Sequence, residues 1–489
     1  MPGFLHVTAG DLASVAPEIL LSVAGIFLIF LDAFARPSRP SYPYLALLTL
    51  ALANIFGVAS PGTWFDGAVQ TSALTRFVEM LALSGAAIAV LGSGETLARD
   101  GKNQGEFYAL LLWSTAGAML MAKGTDLLVI FIGLELMSIP LYVLAAWYRE
   151  LPASAEAGMK YFLIGALSSA VLLYGVATLY GRTGTTYLPR IAGSSSGTMG
   201  LAFDPLVVVG TIAILSALAF KLALVPFHGW APDVYQGMTT PAVTFLSTVP
   251  KAAAAVVALR LLYAVVPSGG GGTPEPWRPI LGLLAVVSIL FGNIVALSQR
   301  DLKRMLAYSG IAQMGYLAIA LATLSRDAVE GALVFLAGYL VTNAAAFLAV
   351  AALSSGETEP KSLADLAGLG RRNGAAAAIL TLSMISLTGL PPTVGFIGKL
   401  LVFRSAVDAG LVGLALVGVA GSLISVGYYL RVVYVLWMKE PTREVPLHED
   451  DVLAGAAWIL LGAGILFFGV LPRGLIDAAR LAAQALATR

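Results

Sequence analysis

Long apolar runs joined by short polar connections extend along almost the whole chain. Most runs reach about 18 residues or more and lack the polar face that marks an amphipathic helix of a soluble protein. At roughly 20–24 residues per membrane crossing, we count about 14 runs, centred near residues 22, 51, 86, 115, 136, 170, 215, 252, 287, 313, 340, 391, 425 and 461. The pattern predicts an all-α polytopic membrane protein with about 14 transmembrane helices, numbered here as spans 1 to 14.

Composition supports this class and excludes several others. Hydrophobic residues make up 58% of the chain and charged residues 12%, and the formal net charge of +1 gives no indication of nucleic-acid binding. Cysteine is absent, which excludes thiolate-ligated iron–sulfur clusters, c-type haem and disulfides. The histidines His6, His228 and His448 are far apart and lack a metal-site spacing, so we expect no metal and no cofactor in this chain.

The positions of Lys and Arg in the connections predict the orientation in the membrane. Roughly 14 of these residues follow odd-numbered spans and roughly 7 follow even-numbered ones, so the odd connections are expected to be cytoplasmic. Residues 11–34 are long enough to be the first span and not a signal peptide, which places both termini outside. The main basic clusters are Arg36/Arg39, Arg300/Lys303/Arg304 and Lys361/Arg371/Arg372, whereas Arg473, Arg480 and Arg489 count against this orientation.

Span 7 contains the clearest departure from a simple membrane helix. Lys221 lies inside its apolar run, Pro226 and Gly229 interrupt the run, and a second apolar run follows with Lys251. A charged side chain at the centre of a membrane helix costs about 2.5–3.5 kcal/mol on insertion scales, and such residues usually have a function. Irregular backbone at membrane depth is tolerated only inside protein or beside a wet cavity. The segment is therefore the leading candidate for a site.

A second break in span 12 indicates an internal repeat. Pro392 and Gly395 repeat the proline–glycine spacing of Pro226 and Gly229 at an offset of about 166 residues, and Lys399 follows inside the apolar run. An odd number of spans separates the two copies, so the repeats must be inverted in the membrane, as in transporters built from inverted repeats with interrupted helices. We predict two inverted five-helix repeats at 107–264 and 277–438, preceded by spans 1–3 (1–106) and followed by span 14 (439–489).

Buried titratable residues form a candidate proton relay. Glu135 lies at the middle of span 5, where its short side chain cannot reach an interface. Desolvation disfavours the charged form of both lysine and carboxylate, so buried groups of both types can exchange protons near neutral pH, which arginine cannot. We predict a relay formed by Glu135, Lys221, Lys251 and Lys399. The supporting residues are His228, Asp233 and Tyr235.

Other polar residues have a simpler interpretation. Glu18, Asp32 and Glu79 lie near predicted span ends, which favours solvated or headgroup positions, and Lys160 at the start of span 6 is expected to anchor at the interface. Lys399 could also reach an interface through its long stem.

The aromatic residues of span 13 suggest an anchoring role. Tyr428 and Tyr429, together with Arg431, are typical of an aromatic belt beside a cytoplasmic connection. In span 10, Gln313 is a neutral polar group at membrane depth.

Several stretches together resemble a known family, the antiporter-like membrane subunits of respiratory complex I (type I NADH:quinone oxidoreductase). The resemblance covers nearly the whole chain. It rests on GLELMSIPLYVL, KYFLIGALSSA, FKLALVPFHGWAPDVYQG, the lysine after Pro250, DLKRMLAYSGIAQMGY and LTGLPPTVGFIGK. Lys399 in place of a glutamate, and a chain end near residue 489 without a long lateral helix, favour one particular subunit type within this family.

The resemblance implies a function and partners. It implies proton pumping through 14 helices with two inverted repeats, while other membrane and peripheral subunits, holding flavin and iron–sulfur clusters, oxidise NADH and reduce quinone. It makes Glu135 the carboxylate of the inward half-channel, Lys221 its partner, Lys251 the connecting lysine and Lys399 the residue of the outward half-channel. Many relatives have a histidine where this chain has Gln313, which cannot hold the proton.

Two alternatives stay open. A subunit of a multi-subunit Na⁺/H⁺ antiporter or of a membrane-bound hydrogenase would share these motifs. A structural spacer of a membrane complex would explain the apolar helices but not four deep ionisable side chains.

Overall fold

The computed structural model describes residues 7–34, 41–57, 60–99, 101, 104–195, 204–265, 277–353, 362–440 and 452–487. Almost all of this part of the chain is helical, as the apolar runs predict. The predicted cytoplasmic residues Arg36, Arg39 and Lys361, and the histidines His6 and His448, lie outside the described residues.

The helices follow one another with short connections. The first part contains α1 (Ala9–Ser14), α2 (Ala16–Phe34), α3 (Ser41–Phe56), β1 (Gly62–Trp64), β2 (Val69–Thr71), α4 (Ala73–Leu91), α5 (Gly94–Arg99), α6 (Gly105–Lys123), α7 (Leu127–Ala145), α8 (Pro152–Thr183), α9 (Leu188–Ser195), α10 (Pro205–Leu222), α11 (Ala231–Gly237), α12 (Thr240–Leu246) and α13 (Val249–Val265). The second part contains α14 (Trp277–Ser298), α15 (Leu302–Thr323), α16 (Arg326–Ala352), α17 (Gly374–Thr388), α18 (Val394–Asp408), α19 (Val412–Met438), α20 (Val452–Val470) and α21 (Arg473–Ala487), with 3₁₀ turns at Leu363–Leu366 and Leu369–Arg371.

Ten helical segments among the described residues are long and apolar enough to cross a membrane, with α12 and α13 counted together as Thr240–Val265, and a bent pair, Ile459–Val470 with Arg473–Leu486, would form an eleventh span. Two further apolar helices, α3 and α17, are shorter than this. All predicted span centres lie inside helices except residue 391, which lies in the gap between α17 and α18. The chain is therefore a helical membrane protein with about ten apolar spans and interrupted helices.

Two helical hairpins, α6–α7 and α14–α15, are held together by glycines at their crossings. A side chain at Gly117 would collide with the backbone of Met137, and a side chain at Gly292 would collide with the backbone of Ala312. Small residues let helix backbones approach closely in membranes, where packing replaces the hydrophobic driving force. The short 124–126 turn joins α6 and α7, which pack against each other as neighbours.

Both predicted helix interruptions are present. α10 ends at Leu222 and α11 starts at Ala231, while α17 ends at Thr388 and α18 starts at Val394. The first interruption begins before Pro226, because Ala223 adopts a left-handed conformation with φ of 57° and terminates the helix.

Side chains satisfy carbonyl groups that these helix ends leave free. Trp230 Nε1 donates to the Phe220 carbonyl at 3.0 Å, and Lys399 Nζ donates to the Leu387 carbonyl at 2.8 Å. A backbone polar group without a hydrogen-bond partner costs several kcal/mol in a membrane. This is about the free energy of moving an amide from water into an apolar medium. The two breaks are thus stabilised in corresponding ways.

Two elements were not predicted, a β-hairpin between α3 and α4 and a helix after span 14. The strands β1 and β2 form an antiparallel hairpin with Gly62 opposite Thr71. After span 14, α21 turns by 79° from the preceding helix and packs against α4 and α16. Its buried face contains Ala479, Ala482, Ala483 and Leu486, at helical spacing.

Candidate functional site

The three predicted relay lysines are all deeply buried. Lys221 on α10, Lys251 on α13 and Lys399 on α18 are 2%, 1% and 4% exposed. None of them takes part in an ion pair within 4.0 Å among the described residues. Lys399 therefore does not extend to an interface, and each lysine needs another way to stabilise its charge.

Lys221 lies in an aromatic cage. Its Nζ lies 5.3 Å from the ring centroid of Tyr142, 5.3 Å from that of Tyr161 and 5.2 Å from that of Phe220. Nζ has no hydrogen-bond partner among the described residues. Cation–π attraction is worth about 2 kcal/mol or more when the cation is desolvated, which is less than a full hydrogen-bond shell provides. The cage holds Lys221 without neutralising it.

Glu135, the predicted partner of Lys221, lies beside the cage but does not contact the lysine directly. It is half-buried on α7 and accepts a hydrogen bond from the Ser169 hydroxyl of α8. None of the ion pairs within 4.0 Å among the described residues joins Glu135 to Lys221. The pair is separated in this conformation.

Aromatic side chains connect Lys221 to Lys251. Tyr161 stacks on Trp230 with ring centroids 4.6 Å apart, Trp230 meets Tyr235 edge-on at 6.4 Å, and Lys251 Nζ lies 5.9 Å from the Tyr235 ring. The hydroxyl groups of Tyr161 and Tyr235 are buried without hydrogen-bond partners among the described residues. Buried hydroxyls are normally satisfied by protein or by ordered water, so this passage is polar enough to hold water.

Lys251 projects into a narrow gap between three helices. Its Nζ donates to the Tyr339 hydroxyl of α16 at 3.4 Å. Gly310 of α15 faces the same atom, and a β-carbon added there would lie 3.0 Å from Nζ. A side chain at position 310 would therefore press on the lysine head group and on the Tyr339 hydroxyl, and both would have to shift slightly.

Lys399 is held by oxygen atoms at the end of α17. Its Nζ donates to the Leu387 carbonyl at 2.8 Å, to the Thr388 carbonyl at 3.0 Å and to the Ser422 hydroxyl at 3.3 Å. The Tyr316 ring centroid lies 4.5 Å from the same nitrogen. Carbonyls at the C-terminus of a half-helix favour a positive charge, so backbone dipoles stabilise this lysine.

Gln313 donates a hydrogen bond to the same carbonyl as Lys399, that of Leu387. Its Nε2 donates to the Leu387 carbonyl at 2.8 Å and to the Tyr429 hydroxyl at 3.3 Å. Tyr429 is also hydrogen-bonded to Ser309. The amide thus connects α15 to both the α17 end and α19.

The predicted supporting residues occupy different places. Tyr235 faces Lys251, as described above. His228 lies in the first break with its ring edge-on to Phe291 of α14, at 4.7 Å between centroids. Asp233 forms ion pairs with Lys160 and Arg304.

A buried charge cluster in the N-terminal helices was missed. Lys123, 1% exposed, forms ion pairs with Glu18 at 2.8 Å and with Glu79 at 2.6 Å, and its Nζ also donates to the Ser14 carbonyl at 2.8 Å. The expectation that Glu18 and Glu79 are solvated is therefore wrong, because both carboxylates face the same lysine inside the helix bundle. The signal was available in the sequence: Lys123 ends an apolar run that otherwise contains no basic residue.

The interpretation of span 13 also needs correction. Tyr428 and Tyr429 are buried and not part of an interfacial belt. Tyr428 donates to the Asn293 side-chain oxygen of α14 at 2.9 Å. Arg431 donates to the Leu297 carbonyl at 3.0 Å and so satisfies the end of α14.

Interrupted membrane helices with ionisable side chains near their breaks are a feature of many helical membrane transporters. Residues 124–425 match the family model described as NADH:quinone oxidoreductase/Mrp antiporter, TM, and the relatives below cover nearly the whole chain. The chain belongs to this family and, within it, to the group of proteins called NADH-quinone oxidoreductase subunit N.

The relatives support this at full length. The subunit N of Trichlorobacter lovleyi is 40% identical, with 97% of each chain covered, and that of Rhodospirillum rubrum is 36% identical, with 96% of each covered. A chain of respiratory complex I from Thermus thermophilus with bound Aureothin superposes with a TM-score of 0.80 at 34% identity, covering 96% of this chain and 99% of that one. A chain of the Mrp complex from Dietzia sp. shares the fold, with a TM-score of 0.81 at 22% identity and coverage of 99% and 98%.

Proposed function

We propose that this chain is a proton-translocating membrane subunit of a bacterial NADH:quinone oxidoreductase in the inner membrane. Full-length relatives with that name support membership of the complex. Other subunits carry the flavin and iron–sulfur clusters, oxidise NADH and reduce the quinone pool. One observation carries the proton role: three lysines are buried in the helix bundle, and in the part of the chain that the structure describes none of them forms an ion pair with a carboxylate.

Each residue of the relay has a specific part. Glu135 accepts a proton from the inward side. Lys221 holds it in the aromatic cage, where the approach or withdrawal of Glu135 changes the stability of the ammonium group. The proton passes along the Tyr161–Tyr235 passage to Lys251. Lys399 then takes it up and releases it outward.

The proposed architecture is fourteen crossings with inverted repeats at 107–264 and 277–438, flanked by 1–106 and 439–489. Three correspondences support it: the glycine-packed hairpins α6–α7 and α14–α15, the two interrupted helices, and the side chains that satisfy a carbonyl at each interruption. With odd connections cytoplasmic, both termini lie on the periplasmic side.

The decisive experiment separates proton transfer from electron transfer. Glu135→Gln and Lys221→Met remove the titratable groups and keep the side-chain volume, so assembly is expected to persist. Proton uptake into vesicles and NADH oxidation are measured at equal amounts of complex. We expect pumping to fall at least about tenfold, since each change removes a proton-transfer group. Pumping at the parental rate in both variants would exclude the relay.

A second candidate is a subunit of a Na⁺/H⁺ antiporter or a membrane-bound hydrogenase. The antiporter alternative is favoured by the family description, which names both kinds of protein, and by the shared fold of the Mrp chain. Purification of the tagged protein distinguishes the two: flavin and iron–sulfur subunits accompany a complex I subunit, whereas an antiporter brings membrane subunits alone.

A further inference from the structure

Asp233 on α11 is bound to a cation from each of two neighbouring helices. One carboxylate oxygen, Oδ2, accepts from Lys160 Nζ of α8 at 2.6 Å, and the other, Oδ1, accepts from the Arg304 guanidinium of α15 at 2.5 Å. Both oxygens are therefore occupied. The side chains of Lys160, Asp233 and Arg304 are 40%, 28% and 28% exposed, so the group lies at the edge of the helix bundle.

More hydrogen bonds tie α11 to the start of α15. Arg304 also donates to the Gln236 side-chain oxygen at 3.0 Å, and Gln236 donates to Asp301 at 3.0 Å. Asp301 caps α15 by accepting from the Arg304 backbone amide at 2.9 Å. Lys303 Nζ donates to the Met238 carbonyl at 3.2 Å. Hydrogen bonds thus join the polar side of α11 to the N-terminal end of α15.

α11 depends on such contacts for its position. It has seven residues and lies between the break and a turn, and helices shorter than about 12 residues are marginal by themselves. The same short helix carries Tyr235, whose ring lies 5.9 Å from Lys251 Nζ. Gly310, which also faces Lys251, lies further along α15. α11 and α15 therefore form two walls of the Lys251 site.

We propose that Asp233 is a positioning residue and not a member of the proton path. Together with Lys160 and Arg304 it forms an ionic latch that joins the block 107–264 to the block 277–438 and keeps Tyr235 beside Lys251. The consequence for pumping rests on the proposed function, whereas the position of α11 does not. When the latch breaks, α11 moves away from α15, and proton transfer between Lys221 and Lys251 slows.

The position of α11 can be measured directly with a single cysteine. The chain has no cysteine, and Val234 on α11 is fully buried. In the assembled complex, Val234→Cys should react slowly with a water-soluble maleimide. Arg304→Gln or Asp233→Asn in the same background should raise the labelling rate at least about fivefold, the effect of roughly one kcal/mol on an opening equilibrium. Arg304→Lys, which keeps the charge, should restore most of the protection.

Arg404→Gln is the matched control. Arg404 pairs with Asp408 of its own helix at 3.6 Å and is largely exposed, so its loss should leave the labelling rate unchanged. Parental labelling rates in both Arg304→Gln and Asp233→Asn overturn the latch, whatever their pumping. If the latch variants label faster while Glu135→Gln and Lys221→Met pump normally, the latch stands and the proposed relay fails.

Discussion

Gln313 and Lys399 donate hydrogen bonds to the same acceptor, the carbonyl oxygen of Leu387, each at 2.8 Å. This carbonyl belongs to the last turn of α17, at the second helix break. One side chain is titratable and the other is not, yet both satisfy the same freed carbonyl. Helix capping and proton transfer are therefore separable at this site.

Substitution of Lys399 tests this separation. Arginine keeps the charge and can donate to the same carbonyls, but it cannot release its proton in the working range. Glutamate is also titratable, but its ionised form is negative where that of lysine is positive. The electrostatic interaction by which Lys399 receives a proton from Lys251 would therefore change. We expect pumping in the order Lys, then Glu, then Arg or Ala, with at least about a tenfold loss for Arg. Proton uptake in vesicles is measured at equal complex content.

The Lys399→Arg variant also serves as the structural control. It should assemble like the parent, since the helix end remains capped. A complex with Lys399→Arg that pumps at the parental rate would show that Lys399 only stabilises the break and that the outward exit lies elsewhere.

Gln313 is expected to tolerate histidine but not leucine. Histidine keeps a donor for the Leu387 carbonyl, whereas Gln313→Leu leaves the Tyr429 hydroxyl and the carbonyl with one partner fewer. Loss of a buried hydrogen bond costs about 1–3 kcal/mol, so Gln313→Leu should lower the melting temperature of the complex and its pumping rate. Equal melting temperatures for the leucine and histidine variants would contradict a role for this hydrogen bond.

The Lys123 cluster predicts a loss of stability and not of proton transfer. Lys123→Met leaves Glu18 and Glu79 buried without their cation, and breaking a buried ion pair costs about 3–5 kcal/mol. We expect little assembled complex and a lower melting temperature. Lys439→Met removes an exposed lysine at the end of α19 and should change neither quantity. The triple variant Glu18→Gln, Lys123→Met, Glu79→Gln should recover part of the loss.

The orientation is tested with cysteines on opposite predicted faces. Ser38→Cys lies in the first odd connection, between Arg36 and Arg39, and should react with an impermeant reagent only from the cytoplasmic side. Asp408→Cys, exposed at the end of α18, should react only from the periplasmic side. Labelling of Ser38→Cys from outside would show that the orientation is inverted.

The sequence by itself determined the helical membrane class, the interrupted helices and the depth of the relay lysines. The reason is that a bilayer fixes the length of an apolar run and leaves few positions for charge. Lys221, Lys251 and Lys399 stand out because almost every residue around them is apolar. The resemblance to a known family rests on the same local stretches.

Only the tertiary structure decided which groups face one another. An apolar residue that faces lipid looks the same in a sequence as one that faces a neighbouring helix, so the pattern could not show that Glu18 and Glu79 meet at Lys123 or that Tyr428 is buried. Residues near the ends of spans were misjudged for this reason. The carbonyls that hold Lys399, the cage of Lys221 and the latch at Asp233 each join helices that are distant in sequence. Their partners follow from how the helices pack, which no local pattern records.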